Sequence, residues 1–325
     1  MNQIIVMNPF ARHLRKDKTL RSRLLALVHR KTAIIETQTV QALIETLEQL
    51  SVTHTSLKNV AVYIIGGDGT FNQVLNWVMT LPQENRPLLM PVGGGQFNFM
   101  TKFVGLKSTD PSVNLAEIFS GRIHTETKSW RPVCVTDSYT HEKRYGAVIG
   151  NGILCDFVEW YEEMGKGDLL DVLKLIGIVI SDFGKNMLRG RHGRIKPIQG
   201  TLFVDGVKLP CTEYAAIMAA TVPEFMPTCK PFRAPTVPNA FSTYAYWGNF
   251  TPLALSVPFI WRGLKSPLTD PCAVNTNAQE IRIHTTDPRL LIDGDIHLWQ
   301  GKKQPHARTL TFTHGPEIQL LHAVV

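Results

Sequence analysis

Three short segments carry residue types suited to holding a negatively charged group. The run Gly66-Gly67-Asp68-Gly69-Thr70 follows the apolar stretch VAVYII and opens a segment with helical spacing. Glycine tolerates positive φ and lets the backbone approach a ligand closely. The N-terminus of the following helix offers free N–H groups and the positive end of a dipole to an anion, and Thr70 is placed to cap that helix. Glycines alone are equally consistent with a plain strand–turn–helix connection. Asp68 changes the weighing. A carboxylate among phosphates is repelled unless a metal, a transferred proton or a donor compensates, so its presence points to Mg²⁺ organisation or general-base work. A second turn, Pro91-Val92-Gly93-Gly94-Gly95-Gln96-Phe97-Asn98, ends the next apolar stretch but one helix later, and Asn8-Pro9 ends the first. Each is weak alone. Three at successive strand ends read as one nucleotide-binding edge.

For these segments to meet, they must leave neighbouring strands on one side of a sheet. Gln3–Met7, Ala33–Glu36, Val60–Ile65 and Leu88–Val92 read as strands, and Lys18–His29, Val40–Leu50, Phe71–Met79 and Phe97–Val104 as helices. Alternating strands and helices predict a parallel, Rossmann-like three-layer α/β domain with helices on both faces. Ligands of such sheets bind beyond the carboxyl ends of the strands. After about Gly121 short strands dominate: Arg131–Thr136, Arg144–Gly150, Thr201–Val204, Ala215–Thr221, Glu280–His284, Arg289–Ile292, Thr309–His314 and Ile318–Val324. Asp205-Gly206 and Asp293-Gly294 supply turn signals. The expected organisation is a nucleotide-binding α/β domain over residues 1–124 and a mostly β, sandwich-like domain over 125–325. The last strand or strands are expected to pack back on the first domain.

The composition agrees with a folded chain of about two domains: 325 residues, 44% hydrophobic and 19% charged. The net charge of +7 suits a phosphate-bearing partner such as a nucleotide or an anionic membrane. It also permits nucleic acid, but no RNA- or DNA-binding motif appears. The five cysteines are scattered with no Cys-x-x-Cys pair, which argues against a zinc site or a disulfide framework. No window approaches a membrane span, and the N-terminus lacks a signal-peptide pattern, so a cytoplasmic location is expected. The segment Asp168–Leu188 carries an apolar helical stripe. It is followed by the cations Arg189, Arg191, Arg194 and Lys196. That pairing suits peripheral contact with an anionic membrane, although such a stripe more commonly packs into its own protein.

These motifs resemble the diacylglycerol kinase catalytic-domain family of lipid kinases, which includes sphingosine and ceramide kinases and bacterial homologues. Asn8-Pro9 matches its strand-one motif and Gly66 to Thr70 match its GGDGT, continued by Asn72 but with Gln73 in place of the usual Glu. The family's PxGTxNxFARxLG turn fits GGGQFNFMTKFVG only with one inserted residue. Asn98 then takes the Asn place, Lys102 the Arg place and Gly105 the closing glycine, while the motif's Thr is Gly94 or Gly95. The family's late Asp-Gly-Glu appears as Asp293-Gly294-Asp295. Val204–Gly206 and Phe259–Pro267 match further family patterns, so the resemblance covers nearly the whole chain in the right order.

The resemblance implies an NAD kinase/diacylglycerol kinase-like fold and an ATP- and Mg²⁺-dependent transfer of the γ-phosphoryl group to a lipid hydroxyl. Diacylglycerol, a sphingoid base, ceramide and phosphatidylglycerol all suit an apolar cleft. Asn8, Pro9, Thr37, Gly66, Gly67, Gly69, Thr70, Asn72, Gly93, Gly94, Gly95 and Asn98 are the implied nucleotide residues. Asp68 would organise Mg²⁺ through the nucleotide, and Asp293, assisted by Asp295, would accept the hydroxyl proton; the roles of Asp68 and Asp293 are exchangeable. Many bacterial members bind a structural Mg²⁺ through acidic residues of a second-domain loop. The corresponding stretch Ala234–Ser242 has no carboxylate, so that site is expected to be absent. GGDGT also occurs in NAD kinases, which leaves a small-molecule kinase as an alternative, and the altered second turn leaves a catalytically weak nucleotide- or lipid-binding protein as another. A homodimer stays open.

Overall fold

The computed structural model describes residues 3–28, 32–53, 56–163, 177, 197–225, 229–235, 237–298 and 307–324. The basic cluster from Arg189 to Lys196 and, apart from residue 177, the expected helix Asp168–Leu188 lie outside them. The chain divides into two units. One comprises Met1–Pro132 and Gly315–Val325 with a short piece at 225–227, and the other comprises Val133–Glu224 and Thr228–His314.

The first unit is built on strands β1 (Gln3–Met7), β2 (Ala33–Glu36), β3 (Ala61–Gly66), β4 (Leu88–Gly94) and β5 (His124–Trp130) and on the chain's last strand, Ile318–Val324. The order is β2-β1-β3-β4, then the last strand, then β5. The first four pair in parallel; the last strand runs parallel to β4 and antiparallel to β5. β1, β3 and β4 are almost continuously buried, as strands covered on both faces must be. Helices α1 (Arg12–Lys16), α2 (Leu20–Leu27), α3 (Val40–Thr53), α4 (Asp68–Thr80), α5 (Phe99–Phe103) and α6 (Pro111–Phe119) connect them. The chain steps from β1 outward to β2, then crosses back over β1 to β3. Right-handed crossovers therefore put α2 and α3 on opposite faces. The packing agrees: α2 lies on α6 and α3 on α4. The reversal makes the gap between β1 and β3 the topological switch point, where ligands of such sheets bind.

Helix α6 starts at Asp110, its N-cap, which accepts from the Ser112 N–H at 2.8 Å, and Pro111 opens its first turn. The boundary expected at 124/125 falls at the start of β5. That strand pairs along its whole length with the last strand and stays in the first unit's sheet.

The second unit is a pair of antiparallel sheets. One joins Val133–Asp137, Lys143–Gly146, Ile198–Val204, Val207–Lys208, Glu213–Tyr214, Ile281–Thr285 and Arg308–His314; the other joins Val148–Gly152, Ala216–Ala220, Phe241–Tyr246, Ala273–Ala278, Arg289–Ile292 and Asp295–Leu298. Val133, Leu202, Ile283 and Phe312 of one meet Ile149, Ile217, Phe241 and Ile292 of the other in a single buried core, the arrangement of a sandwich. The stretch read as one strand, Arg144–Gly150, is two strands in different sheets, broken at Ala147. The aromatic-rich run around Tyr244 is an interior strand, buried at every position. Helices α7 (Ile153–Glu163) and α8 (Phe250–Trp261) complete the unit among the described residues.

Candidate functional site

β1 and β3 leave the sheet side by side, and Asn8 ties their exits together. Its N–H donates to the Ile65 carbonyl at 2.9 Å. Its Nδ2 donates to Thr70 Oγ1 at 2.9 Å, and its Oδ1 accepts from the Phe10 N–H. Gly66 has no room for a side chain, because an added Cβ would lie 2.5 Å from Thr70 Oγ1. Thr70 is therefore not the cap of α4. That position belongs to Gly67, and no side chain caps the helix. Its first-turn N–H groups have no partner within the helix and face the switch point, where an anion would use them.

The second turn lies directly against the first. Opposite Ile64/Ile65 the β3–β4 register shifts by one residue, and Gly93 and Gly94 adopt positive φ of 107° and 124°. Gly95 then comes so close to Gly67 that a Cβ on it would be 2.3 Å from the Gly67 Cα. The altered motif thus has a steric reason: at position 95 any side chain collides with backbone. Asn98, buried and left-handed at φ 52°, holds this turn. Its Oδ1 accepts from the Gly95 N–H at 2.8 Å and its Nδ2 donates to the Gly95 carbonyl at 3.1 Å. The Asn98 amide, which the resemblance implies as a nucleotide contact, thus also braces the turn from within.

Asp68, the first residue of α4, accepts from the Met100 N–H at 3.2 Å. Burial pushes its carboxyl up to about 6, against the lowering effect of the backbone N–H groups of Met100, Phe99 and Asn98. Of the three ways to compensate this carboxylate, donors are the one built into the fold. Gly69 sits half-buried in the first turn of α4. Thr37 follows β2 at the same carboxyl edge, half-buried, and Pro9 follows Asn8. Asn72, one turn into α4, is 2% exposed and accepts from Asn76 Nδ2 within the helix.

In the second unit Asp293 and Gly294 form a two-residue hairpin loop with φ of 51° and 97°, the geometry Asp-Gly favours. Asp293 is 4% exposed. Its Oδ1 accepts from the N–H groups of Ala147 at 2.9 Å and Val148 at 2.8 Å, at the break between the two strands there. Gly146 leaves room for it, since a Cβ would meet Ile292 and Asp293. Asp295 is exposed and pairs across the hairpin with Ile292. Beside this hairpin is a cluster that sequence reasoning missed. The Arg289 guanidinium meets Asp156 at 2.7 Å and Glu159 at 3.1 Å on α7, and Asp287 at 3.1 Å. Asp156 and Glu159 lie more than a hundred residues away in sequence, so no local signal announces it. Among the described residues no group of three or more His, Cys, Asp or Glu could hold a metal ion, and no helix is long and apolar enough to cross a membrane.

With this geometry in place, comparison with known proteins is informative. Residues 2–127 match the diacylglycerol kinase catalytic domain family. By sequence no curated protein matches the chain. Among solved structures, a "putative diacylglycerol kinase" from Bacillus anthracis is similar at a TM-score of 0.64 and 13% identity, over 99% of this chain and 96% of that one. A second, described as a diacylglycerol kinase of the same organism, has a TM-score of 0.61 at 12% identity, over 99% and 96%. At those identities the structures show the fold, and the domain match marks the part of the chain that resembles the family. Residues 2–127 of this chain are thus similar to the diacylglycerol kinase catalytic domain, within a fold shared with those bacterial structures.

Proposed function

We infer that the protein is an ATP-dependent lipid kinase, transferring the γ-phosphoryl group to a hydroxyl of a lipid such as diacylglycerol or a sphingoid base. The observation that carries this reading is the Asp68 carboxyl, raised to about 6, at the start of an uncapped helix beside the switch point of a diacylglycerol kinase catalytic domain. Phosphoryl transfer needs positioning and charge neutralisation more than covalent chemistry. The first-turn N–H groups of α4 and the backbone of the Gly66–Gly67 and Gly93–Gly95 turns suit the phosphates, since no Cβ stands between them and a ligand. Nucleotide-bound Mg²⁺ would neutralise phosphate charge there, with Asp68 the nearest carboxylate of this edge.

The sequence leaves the proton acceptor open between Asp68 and Asp293, and the geometry favours Asp68. A base works best with a pKa near the working pH, and Asp68 is only half-buried. Asp293 has its Oδ1 occupied by two backbone donors, which suits holding the Ala147 corner and the hairpin. Contact with an anionic membrane through Arg189, Arg191, Arg194 and Lys196 remains part of this reading. The test is transfer from γ-labelled ATP across diacylglycerol, sphingosine, ceramide, phosphatidylglycerol and NAD. Label in a lipid supports the reading. Label in NAD alone replaces it with a small-molecule kinase.

A further inference from the structure

Helix α8 is apolar on both sides. Its inward face buries Phe250, Leu253 and Ser256, the last hydrogen-bonded to Ser266 at 2.6 Å. Its outward face carries Leu255, Pro258 and Phe259 at the i, i+3, i+4 spacing of one helical stripe, with Leu255 54% and Phe259 44% exposed. The helix contains no charged residue along its twelve positions. A core helix would cover the second face, and a surface helix would carry charge on it.

The end of α8 extends this face. The Gly263 N–H donates to the Ile260 carbonyl and the Leu264 N–H to the Phe259 carbonyl, the paired bonds of a Schellman ending. Gly263 supplies the positive φ of 66° this requires, and a Cβ there would lie 2.6 Å from the Lys230 carbonyl. This ending sets Leu264 beside Phe259, and the short run to Leu268 adds a fourth large apolar side chain; the two are 50% and 52% exposed. Cations rim the surface. Arg262 ends the stripe and Lys265 follows, both exposed. Lys230 is held next to the helix by its N–H bond to the Trp261 carbonyl. The acids nearby are already engaged, Asp270 by Arg233 and Glu224 by Lys230 at 3.8 Å.

We propose that α8 and the following 262–268 segment form a docking surface for an anionic lipid bilayer. The partner is chosen by charge: the apolar side chains beside Arg262 and Lys265 complement acyl chains beneath anionic headgroups. A second copy of the same face would bring these two cations against their equals. The helix is about 18 Å long, too short to span, so it lies in the interface. The surface is assigned on unit-two residues alone and holds whether or not the chain transfers phosphate.

The test is co-sedimentation of the full chain, without nucleotide, on phosphatidylcholine vesicles and on phosphatidylcholine–phosphatidylglycerol vesicles. The expected result is pelleting on the anionic vesicles alone. Apparent affinity should fall about tenfold or more in Phe259→Ser/Leu264→Ser and in Arg262→Glu/Lys265→Glu. Hydrogen exchange of the unmodified protein supplies a readout that needs no variant: residues 255–268 gain protection on anionic vesicles. Three results overturn the proposal: no pelleting of the unmodified chain, pelleting lost only on reversing Arg189–Lys196, or a dimer in light scattering that Phe259→Ser/Leu264→Ser converts to monomer. A failed kinase assay leaves all of these readouts unchanged.

Discussion

Asp68 Oδ1 lies 3.2 Å from the backbone nitrogen of Met100 and accepts its hydrogen. The carboxylate of the first glycine turn is thus bound to the helix that the second turn opens. One residue both carries the charge suited to chemistry and fixes the two turns against each other.

That dual role sets a pH dependence. The Asp68 carboxyl titrates near 6 in the folded chain against 3.8 for the ordinary group. Between those values the folded state binds more protons than the unfolded state, so this group lowers stability as pH rises from about 4 to about 6 and leaves it lowered above. Asp68→Asn removes the titration while keeping an acceptor for the Met100 N–H. Urea unfolding should show the variant gaining on the parent over that window, by at most about 3 kcal/mol. Equal pH profiles would remove Asp68 from the account.

Asp68 and Asp293 separate by conservative substitution. Asp293→Ala strips the acceptor from two buried N–H groups and should cost about 1–3 kcal/mol each way it is measured, by melting or by urea. Asp293→Asn keeps an acceptor and should stay folded, with transfer within about tenfold. Asp68→Asn should lose about 10²–10⁴ in kcat. A folded Asp293→Asn that is as inactive as Asp68→Asn would return the proton-accepting role to Asp293.

Two glycines of positive or crowded geometry should respond differently. Gly95→Ala drives a methyl group into the Gly67 backbone, which should cost about 1–3 kcal/mol or more and weaken binding of an ATP analogue measured by calorimetry. Gly294→Ala meets nothing within 4 Å and has only its φ of 97° to strain. Its cost should be about 1 kcal/mol, with analogue binding unchanged.

Asn98 should tolerate glycine better than alanine. Both lose the two bonds to Gly95. Alanine must also hold φ 52°, at about 1 kcal/mol more. Thermal melting of the pair reads that difference directly; equal melting temperatures would mean the turn relaxes out of the left-handed conformation.

The sequence by itself determined the parts that depend on near neighbours. Strand–helix alternation up to Phe103, the glycine turns at Gly66–Gly69 and Gly93–Gly95, and the Asp293-Gly294 hairpin were legible because apolar periodicity and backbone freedom are local properties. Tertiary structure decided what those residues touch. Thr70 looked like a helix cap and instead receives Asn8, sixty-two positions earlier. Arg144–Gly150 looked like one strand, but the buried Asp293 carboxylate bonds both N–H groups at Ala147–Val148, where the chain passes from one sheet to the other. The last strand's return to the first unit was expected from the sequence, but its slot between β4 and β5 was not, nor were the α7 carboxylates on Arg289. The partners that fix them, β5 for the last strand and Asp156 and Glu159 for Arg289, lie more than a hundred residues away and meet them only when the chain folds.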